Sequence, residues 1–174
     1  LSWFHFELNL ICFNKKKIPK PDVIIISSPS ILTILNGVIL KKKYNCKLVF
    51  EIRDIWPLTL VEDGGFSWNN PLIKILGFIE RFGYKHSDLI IGTMPKLDIH
   101  VKKVVGHSKL VKCIPMGFDT DILDKKENID SKYINQFLKP DDFNIIYAGT
   151  IGISNALEVF FKAAEILKSE PKLN

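Results

Sequence analysis

The chain has 174 residues, of which 47% are hydrophobic and 25% charged, so it can fold around a core and is not a disordered chain. No apolar run reaches the roughly 20 residues that a membrane-spanning helix needs. The net charge of +5 comes with few arginines and no recognised nucleic-acid motif, so we expect no nucleic-acid partner.

The cysteines and histidines show no ligand spacing. Cys12, Cys46 and Cys113 are far apart and odd in number, which indicates neither a disulfide framework nor a CxxC pair. Cys46 and Cys113 lie in or beside apolar runs and are predicted to be small core residues. The four histidines lack HExxH or similar spacing, so we predict no metal. These features favour a reducing, cytoplasmic setting.

The first segment, residues 1–13, is rich in aromatic and aliphatic side chains and precedes a lysine run at 15–17. A signal peptide would carry its charge before its apolar residues, so this order argues against one. Two interpretations stay open: a helix that faces the core, which we favour because apolar residues cover more than one face, and a helix that lies in a membrane interface. Lysines at 15–17 and 41–43 would suit an anionic membrane, although such runs are usually solvated helix ends.

Strands and helices then alternate along the chain. We predict a β-branched strand at residues 23–26, a helix at 31–44 and a second strand at 48–52. Strand, helix and strand within about 30 residues form a βαβ unit, which predicts a parallel sheet. Residues 56–70 are predicted to form a loop with one helical turn.

The next helix begins at Pro71, a typical first-turn position. Its buried stripe is predicted to comprise Leu72, Ile75, Leu76, Ile79 and Phe82. Its solvated face is predicted to carry Glu80, Arg81 and Lys85.

A third strand is predicted at residues 88–92, followed by a helix with Thr93 as N-cap that ends near Gly106. A fourth strand is predicted at 110–114. We therefore predict an α/β fold with a Rossmann-like, doubly wound parallel sheet over residues 1–118.

Beyond residue 118 the composition changes. Residues 119–130 are charged and aperiodic, as in a linker, and a short helix is predicted at 132–138. A buried strand is predicted at 143–148, then a helix opened by a capping box of Asn155 and Glu158. Residues 119–174 are predicted to be the linker and the beginning of a second Rossmann-like domain. The chain begins with Leu1, and we expect it to be a fragment.

The first candidate site lies in KLVFEIRDIWPLTL, residues 47–60, where a strand ends in Arg53 and Asp54. Open α/β sheets bind ligands at the carboxyl ends of their strands. The alternative is an Arg53–Asp54 ion pair that closes the strand, with Trp56 packed beneath.

The second candidate site is the loop with Gly149, Thr150 and Gly152. A strand, a glycine loop and a helix amino terminus present free N–H groups to an anion such as phosphate. A tight strand-to-helix turn explains the same pattern. A cleft between two such domains would hold a nucleotide-linked substrate against an acceptor.

Five segments occur in one characteristic order: KPDVIIISSP, KLVFEIRDIWPLTL, ERFGYKHSDLIIGTMPKL, KCIPMGFD and IIYAGTIGISNALE. Together they cover most of residues 20–165. The chain thereby resembles the GT-B glycosyltransferases of family 4, most closely the bacterial members that build capsule, exopolysaccharide or O-antigen chains.

The resemblance implies two Rossmann-like domains, a nucleotide-sugar donor in the cleft, retention of anomeric configuration, and no cofactor or obligatory metal. Arg53 and Asp54 fall where the family often has His-Asp. Arg53 would lie near the donor phosphates, and Asp54 would orient an acceptor hydroxyl or stabilise an oxocarbenium charge. Gly149, Thr150 and Gly152 would approach the donor diphosphate.

We assign Ser28, Trp56 and Thr93 to the acceptor side of the cleft. The family's first glycine-rich loop and paired-glutamate segment have no counterpart in residues 1–174, so we expect this chain alone to be inactive. The expected acceptor is a glycan or a polyprenyl-linked molecule, with peripheral contact at the inner face of the membrane. The alternatives are a non-catalytic Rossmann-type nucleotide-binding module and an inactive orphan fragment.

Overall fold

A computed structural model describes residues 2–12, 19–122, 131–139, 141, 143–152 and 155–168. The chain forms two compact units, Leu1–Gly117 and Phe118–Asn174. The lysine run at 15–17 and most of the predicted linker lie outside the described residues.

The first unit alternates helices and strands. In chain order they are α1 (Ser2–Cys12), β1 (Val23–Ser27), α2 (Thr33–Tyr44), β2 (Lys47–Ile52), α3 (Leu58–Glu62), α4 (Pro71–His86), β3 (Leu89–Gly92), α5 (Leu97–Val105) and β4 (Val111–Cys113). The strands form one parallel sheet in the order β1-β2-β3-β4. The prediction of an α/β fold with a Rossmann-like parallel sheet flanked by helices is confirmed.

Helices α2, α4 and α5 form one layer against the sheet, with α4 in contact with both of the others. Each helix connects two neighbouring parallel strands, and such crossovers are right-handed, so all three cover the same face. We call this the helix layer. Side chains at alternate strand positions point into it, and these are Ile26, Leu48, Phe50, Ile52 and Ile90, all buried.

The positions between them face the other way. Val23 and Ile25 on β1 are exposed, and Val49, Leu89 and Ile91 are half-buried. The β-branched run of β1 is therefore buried on one side only, although the sequence predicted a buried strand.

Local sequence signals fix several helix ends. Asn70 caps α4 by accepting a hydrogen bond from the Leu72 N–H, and Pro71 occupies the first turn. Helix α2 ends at Asn45 and α5 at Gly106, both in the left-handed conformation. Thr93 is not the N-cap of α5, because that helix begins at Leu97 after Lys96.

The predicted stripe of α4 is partly wrong. Leu72 and Ile75 are exposed, whereas Glu80, predicted on the solvated face, is buried. Glu80 can be buried because His100 Nε2 lies 2.7 Å from its Oε1 and supplies a hydrogen bond. Leu76 and Ile79 are buried as predicted.

Helix α1 is not the predicted core helix. Four of its large apolar side chains are exposed, namely Phe4, Phe6, Leu8 and Ile11, and Leu10 is half-buried. Glu7 is buried, and its carboxylate accepts hydrogen bonds from the Ser30 and Thr33 hydroxyls and, at 2.6 Å, from Asn36 Nδ2. A carboxylate with three donors thus fastens α1 to the beginning of α2. Within the described residues, no helix is both long and apolar enough to cross a membrane.

The second unit contains a 3-10 turn (Thr120–Ile122), α6 (Ser131–Phe137) and α7 (Leu157–Leu167). The short helix predicted at 132–138 is confirmed by α6. The strand predicted at 143–148 is wrong: Phe143 makes a single bridge, residues 144–148 have no regular structure, and all the described positions from 143 to 148 except Asn144 are exposed. A second Rossmann-like domain stays a prediction.

Candidate functional site

A cleft opens at the carboxyl ends of β2, β3 and β4, and we call it the carboxyl-edge cleft. Its volume is about 340 Å³. It is lined by Glu51, Ile52, Arg53, Ile91, Gly92, Thr93, Ile114, Pro115 and Met116. Because parallel strands end at the same edge of a sheet, residues far apart in sequence meet here.

Two strand residues of this cleft, Glu51 and Ile91, lie on the side of the sheet away from the helix layer. Strand alternation places them on that face, and Arg53 and Thr93 directly follow the ends of the same two strands. Residues Glu51 and Ile91 are register partners on β2 and β3. The cleft therefore combines two ionisable side chains, one hydroxyl and an aliphatic floor.

Ser28 anchors Arg53. The Arg53 backbone N–H donates to Ser28 Oγ across 2.9 Å, and the Ser28 N–H donates to the Glu51 carbonyl across 3.0 Å. Ser28 is buried, so this pair of bonds fixes the end of β2 against the end of β1.

Arg53 itself is exposed at the rim of the cleft. Within the described part of the chain, neither Arg53 nor Asp54 forms an ion pair, so the alternative of an Arg53–Asp54 pair is wrong. A guanidinium carries five N–H donors in a planar fork that matches phosphate or carboxylate. Arg53 is thus the group of this cleft that is best suited to hold an anion.

Asp54 and Trp56 occupy different surroundings. Asp54 is exposed and is not among the residues that line the cleft. Its carbonyl accepts a hydrogen bond from the Trp56 N–H at 3.1 Å, and Trp56 is half-buried against the core. The structure therefore brings together Arg53, Thr93 and the underlying Ser28. The catalytic role of Asp54 and the acceptor role of Trp56 stay predictions.

Thr93 is exposed in the cleft, and its carbonyl accepts a hydrogen bond from Cys113 Sγ at 3.5 Å. Cys113 is exposed, so its prediction as a core residue is wrong, whereas Cys46 is buried as predicted. The contact ties the end of β3 to β4 beside the cleft.

Sequence reasoning missed Gly92 as a residue of this cleft. A Cβ on Gly92 would lie 2.6 Å from Leu97 Cδ2 and 2.9 Å from the Ile52 carbonyl oxygen. Only glycine lets the backbone pass this close to β2 and α5. A glycine at the end of an apolar strand is the signal that could have revealed the constraint.

Hydrogen bonds between neighbouring residues hold the glycine loop of the second unit. Gly149, Thr150 and Gly152 are exposed, and the Thr150 carbonyl accepts hydrogen bonds from Tyr147 Oη at 3.0 Å and from Asn155 Nδ2. The capping box is wrong, because α7 begins at Leu157 after Ala156 and the Asn155 side chain is engaged by Thr150. A role of this loop in phosphate binding stays a prediction.

Acidic groups outside the cleft are tied to neighbouring helices and strands. Asp88 accepts from Lys41 Nζ at 2.7 Å and from the Leu48 N–H at 2.8 Å, with Lys47 Nζ at 3.8 Å. Burial opposes the ionisation of Asp88, but the Lys41 and Leu48 hydrogen bonds and the two lysine charges outweigh it. The pKa of Asp88 is therefore lowered.

Glu80 links α4 to α5 through His100. Burial of Tyr84, together with the charge of Glu80 and a hydrogen bond to it, raises the pKa of Tyr84 far above its ordinary value. Tyr84 also meets the His100 ring edge to face, with centroids 6.2 Å apart. Glu80, Tyr84 and His100 thus interact with one another and support the packing of α4 against α5. Among the described residues, no three His, Cys, Asp or Glu side chains lie together as metal ligands would.

Comparison with known proteins adds no family. A scan against protein-family models and a search of curated proteins both found no match for this chain.

Proposed function

We propose that this chain is part of a retaining glycosyltransferase that moves a sugar from a nucleotide-sugar donor to a glycan or lipid-linked acceptor in cell-surface polysaccharide biosynthesis. The observation that carries the proposal is Arg53, a cation without an ion-pair partner in the described residues, held by Ser28 at the carboxyl edge of a parallel sheet. The order of the five family-like segments is consistent with it.

In this proposal Arg53 binds an anionic part of a substrate, which is the donor diphosphate or an acceptor phosphate. Ser28 is a positioning residue, because it contacts the backbone of Arg53 and lies beneath the surface. The Thr93 hydroxyl is available to a sugar or phosphate oxygen in the same cleft. Asp54 would orient an acceptor hydroxyl or stabilise positive charge at the reacting carbon.

A second candidate is a nucleotide-binding module without catalysis. It is favoured by the position of Asp54, which lies outside the residues lining the cleft, while Arg53 lies within them. The two candidates differ in the effect of Asp54→Asn: a transferase loses turnover with its fold intact, whereas a binding module is unaffected.

The test is sugar transfer by the gene product that contains this chain, with radiolabelled nucleotide sugars and a polyprenyl-phosphate or glycan acceptor. The sequence has two arginines, which gives a matched pair of variants. Arg53→Ala should lower kcat/KM by about 100-fold, because a charge-assisted contact to phosphate contributes roughly 1.5–3 kcal/mol. Arg81→Ala, on the exposed face of α4, should leave kcat/KM for sugar transfer to a soluble acceptor unchanged.

Equal activity of the Arg53→Ala and Arg81→Ala variants would remove Arg53 from the site. Failure of the unaltered protein to transfer sugar from any common nucleotide donor, with nucleotide binding retained, would replace the transferase by the binding module.

A further inference from the structure

Helix α4 carries an apolar row on its outer side. Ile75 and Phe78 form it, three residues apart and 58% and 71% exposed, and Leu72 is exposed in the first turn of the helix. The buried side of the same helix is complete without them, since Ile73, Leu76 and Ile79 pack into the core. These apolar side chains therefore do not support the interior of this unit.

A basic row runs beside the apolar row. Lys74, Arg81 and Lys85 are exposed, and the one carboxylate of α4, Glu80, is buried against His100. The solvent-facing side of α4 thus has three cations and no acid. Phe78, Arg81, Phe82 and Lys85 line a shallow groove along this side.

The neighbouring helices repeat the pattern. Exposed aliphatic side chains lie on α2 and α5, namely Leu35, Ile39 and Ile99. Exposed lysines accompany them, at positions 42, 43, 102 and 103. With two cations on α2, three on α4 and two on α5, the helix layer presents seven exposed basic side chains and a single exposed carboxylate, Asp98.

The exposed basic and apolar side chains of the helix layer together indicate what kind of partner can bind there. Basic side chains attract the phosphates of an anionic membrane, and exposed Phe, Leu and Ile side chains gain free energy by entering the acyl boundary. A nucleic acid would bind the cations but leave Ile75 and Phe78 in water. A lipid surface can bind the basic row through its phosphates and the apolar row through its acyl chains, because the two lie a few ångströms apart.

We propose that the outer face of the helix layer, centred on Phe78 of α4, is a docking surface for an anionic lipid membrane. The inference does not depend on the sugar-transfer activity proposed above. Arg53 and Thr93 lie in the carboxyl-edge cleft, which no residue of α4 lines, so substitutions on the outer side of α4 leave that cleft intact.

The experiment is flotation of the purified chain with two kinds of vesicle: phosphatidylcholine alone, and phosphatidylcholine with one third phosphatidylglycerol. Two pairs of variants match in chemistry and differ in place. Phe78→Ser is compared with Ile25→Ser, which alters a side chain 64% exposed on the opposite face of the sheet. Arg81→Gln/Lys85→Gln is compared with Lys20→Gln/Lys112→Gln. Circular dichroism checks that each variant folds.

We expect binding to the anionic vesicles that falls as salt is raised. Phe78→Ser should lower the partition coefficient about ten-fold, because one buried Phe side chain is worth that much. Arg81→Gln/Lys85→Gln should lower it roughly 30-fold, since each basic residue near the surface contributes about a five-fold factor. Both control variants should bind within two-fold of the unaltered chain.

Three results would overturn the proposal. The first is equal flotation with neutral and anionic vesicles. The second is an equal loss in the test and control variants, which would mean a non-specific attraction of a basic chain. The third is the absence of vesicle binding by the folded chain, including the case in which it binds an acidic protein or nucleic acid through Arg81 and Lys85.

Discussion

The backbone N–H of Arg53 donates a hydrogen bond to the side-chain oxygen of Ser28 across 2.9 Å, although the two residues are 25 positions apart. The bond joins the ends of two neighbouring strands beneath the carboxyl-edge cleft. It gives a polar side chain that is only 1% exposed a defined partner, and it sets where the Arg53 side chain leaves the sheet.

Replacing Ser28 by Ala should therefore destabilise the chain. The substitution leaves the Arg53 N–H without its acceptor, which costs about 1–3 kcal/mol in the free energy of unfolding. Urea denaturation measures the loss. Ser67→Ala is the matched control, because Ser67 Oγ also accepts a backbone N–H, that of Asn69, but at an exposed site. A Ser28→Ala chain no less stable than the control would contradict the role of this bond.

At the same cleft, we expect a side chain at position 92 to destabilise the fold by steric overlap. A methyl group there would meet the Ile52 carbonyl oxygen at 2.9 Å, and a backbone atom cannot rotate away as a side chain can. Gly92→Ala should cost about 1–3 kcal/mol in the free energy of unfolding. Gly117→Ala, with no atom within 4 Å of the added Cβ, should change stability by less than about 0.5 kcal/mol. Thermal unfolding of both variants is the measurement, and equal melting temperatures would show that β2 and β3 separate more easily than the geometry implies.

The parallel sheet could be predicted from the sequence because its signals are local. Residues 23–26, 48–52 and 88–92 are short apolar runs separated by helical patterns, and such patterns predict strand and helix whatever lies around them. The position of Arg53 at a strand end followed from the same signals. A second run of this kind, at 143–148, forms no regular strand, so an apolar run alone does not guarantee a sheet partner.

The errors have non-local causes. Glu80 was predicted to be solvated, but it is buried because His100, 20 positions away, supplies a hydrogen bond. The burial of Glu7, for which no prediction was made from the sequence, likewise depends on Asn36, 29 positions away. Leu72 and Ile75 looked buried because both fit the apolar pattern of α4, but Leu72 lies in the exposed first turn, and Ile75 lies beside exposed Phe78 on an outer apolar side. Periodicity cannot say which of two apolar faces meets the sheet.

Glu80 provides a test of such a long-range partner. Glu80→Ala removes the acceptor of His100 Nε2 and the hydrogen-bond partner of Tyr84, and it leaves a small cavity between α4 and α5. The free energy of unfolding should fall by about 2–4 kcal/mol. Glu62→Ala, which removes an exposed carboxylate at the end of α3, should change it by less than about 0.5 kcal/mol. Equal urea midpoints for the two variants would mean that α4 and α5 pack independently of this carboxylate.

Asp88 predicts how stability depends on pH. Its pKa is lowered in the folded state by Lys41, Leu48 and Lys47 despite burial, whereas in the unfolded chain it returns to about 3.9. A depressed pKa contributes stability that is fully present above the unfolded value and is lost as the pH falls through the folded one. Asp88→Asn should therefore cost about 1 kcal/mol at neutral pH, and this difference from the unaltered chain should shrink as the pH falls below about 4.

Urea denaturation between neutral pH and about pH 3 follows this difference. Asp22→Asn, an exposed aspartate just before β1, is the control and should give a difference near zero throughout. A difference near zero between the unaltered and Asp88→Asn chains across the whole range would contradict the prediction. In that case the Leu48 N–H bond, which an asparagine oxygen can also accept, and not the charge of Asp88 would hold the start of β2 against the start of β3.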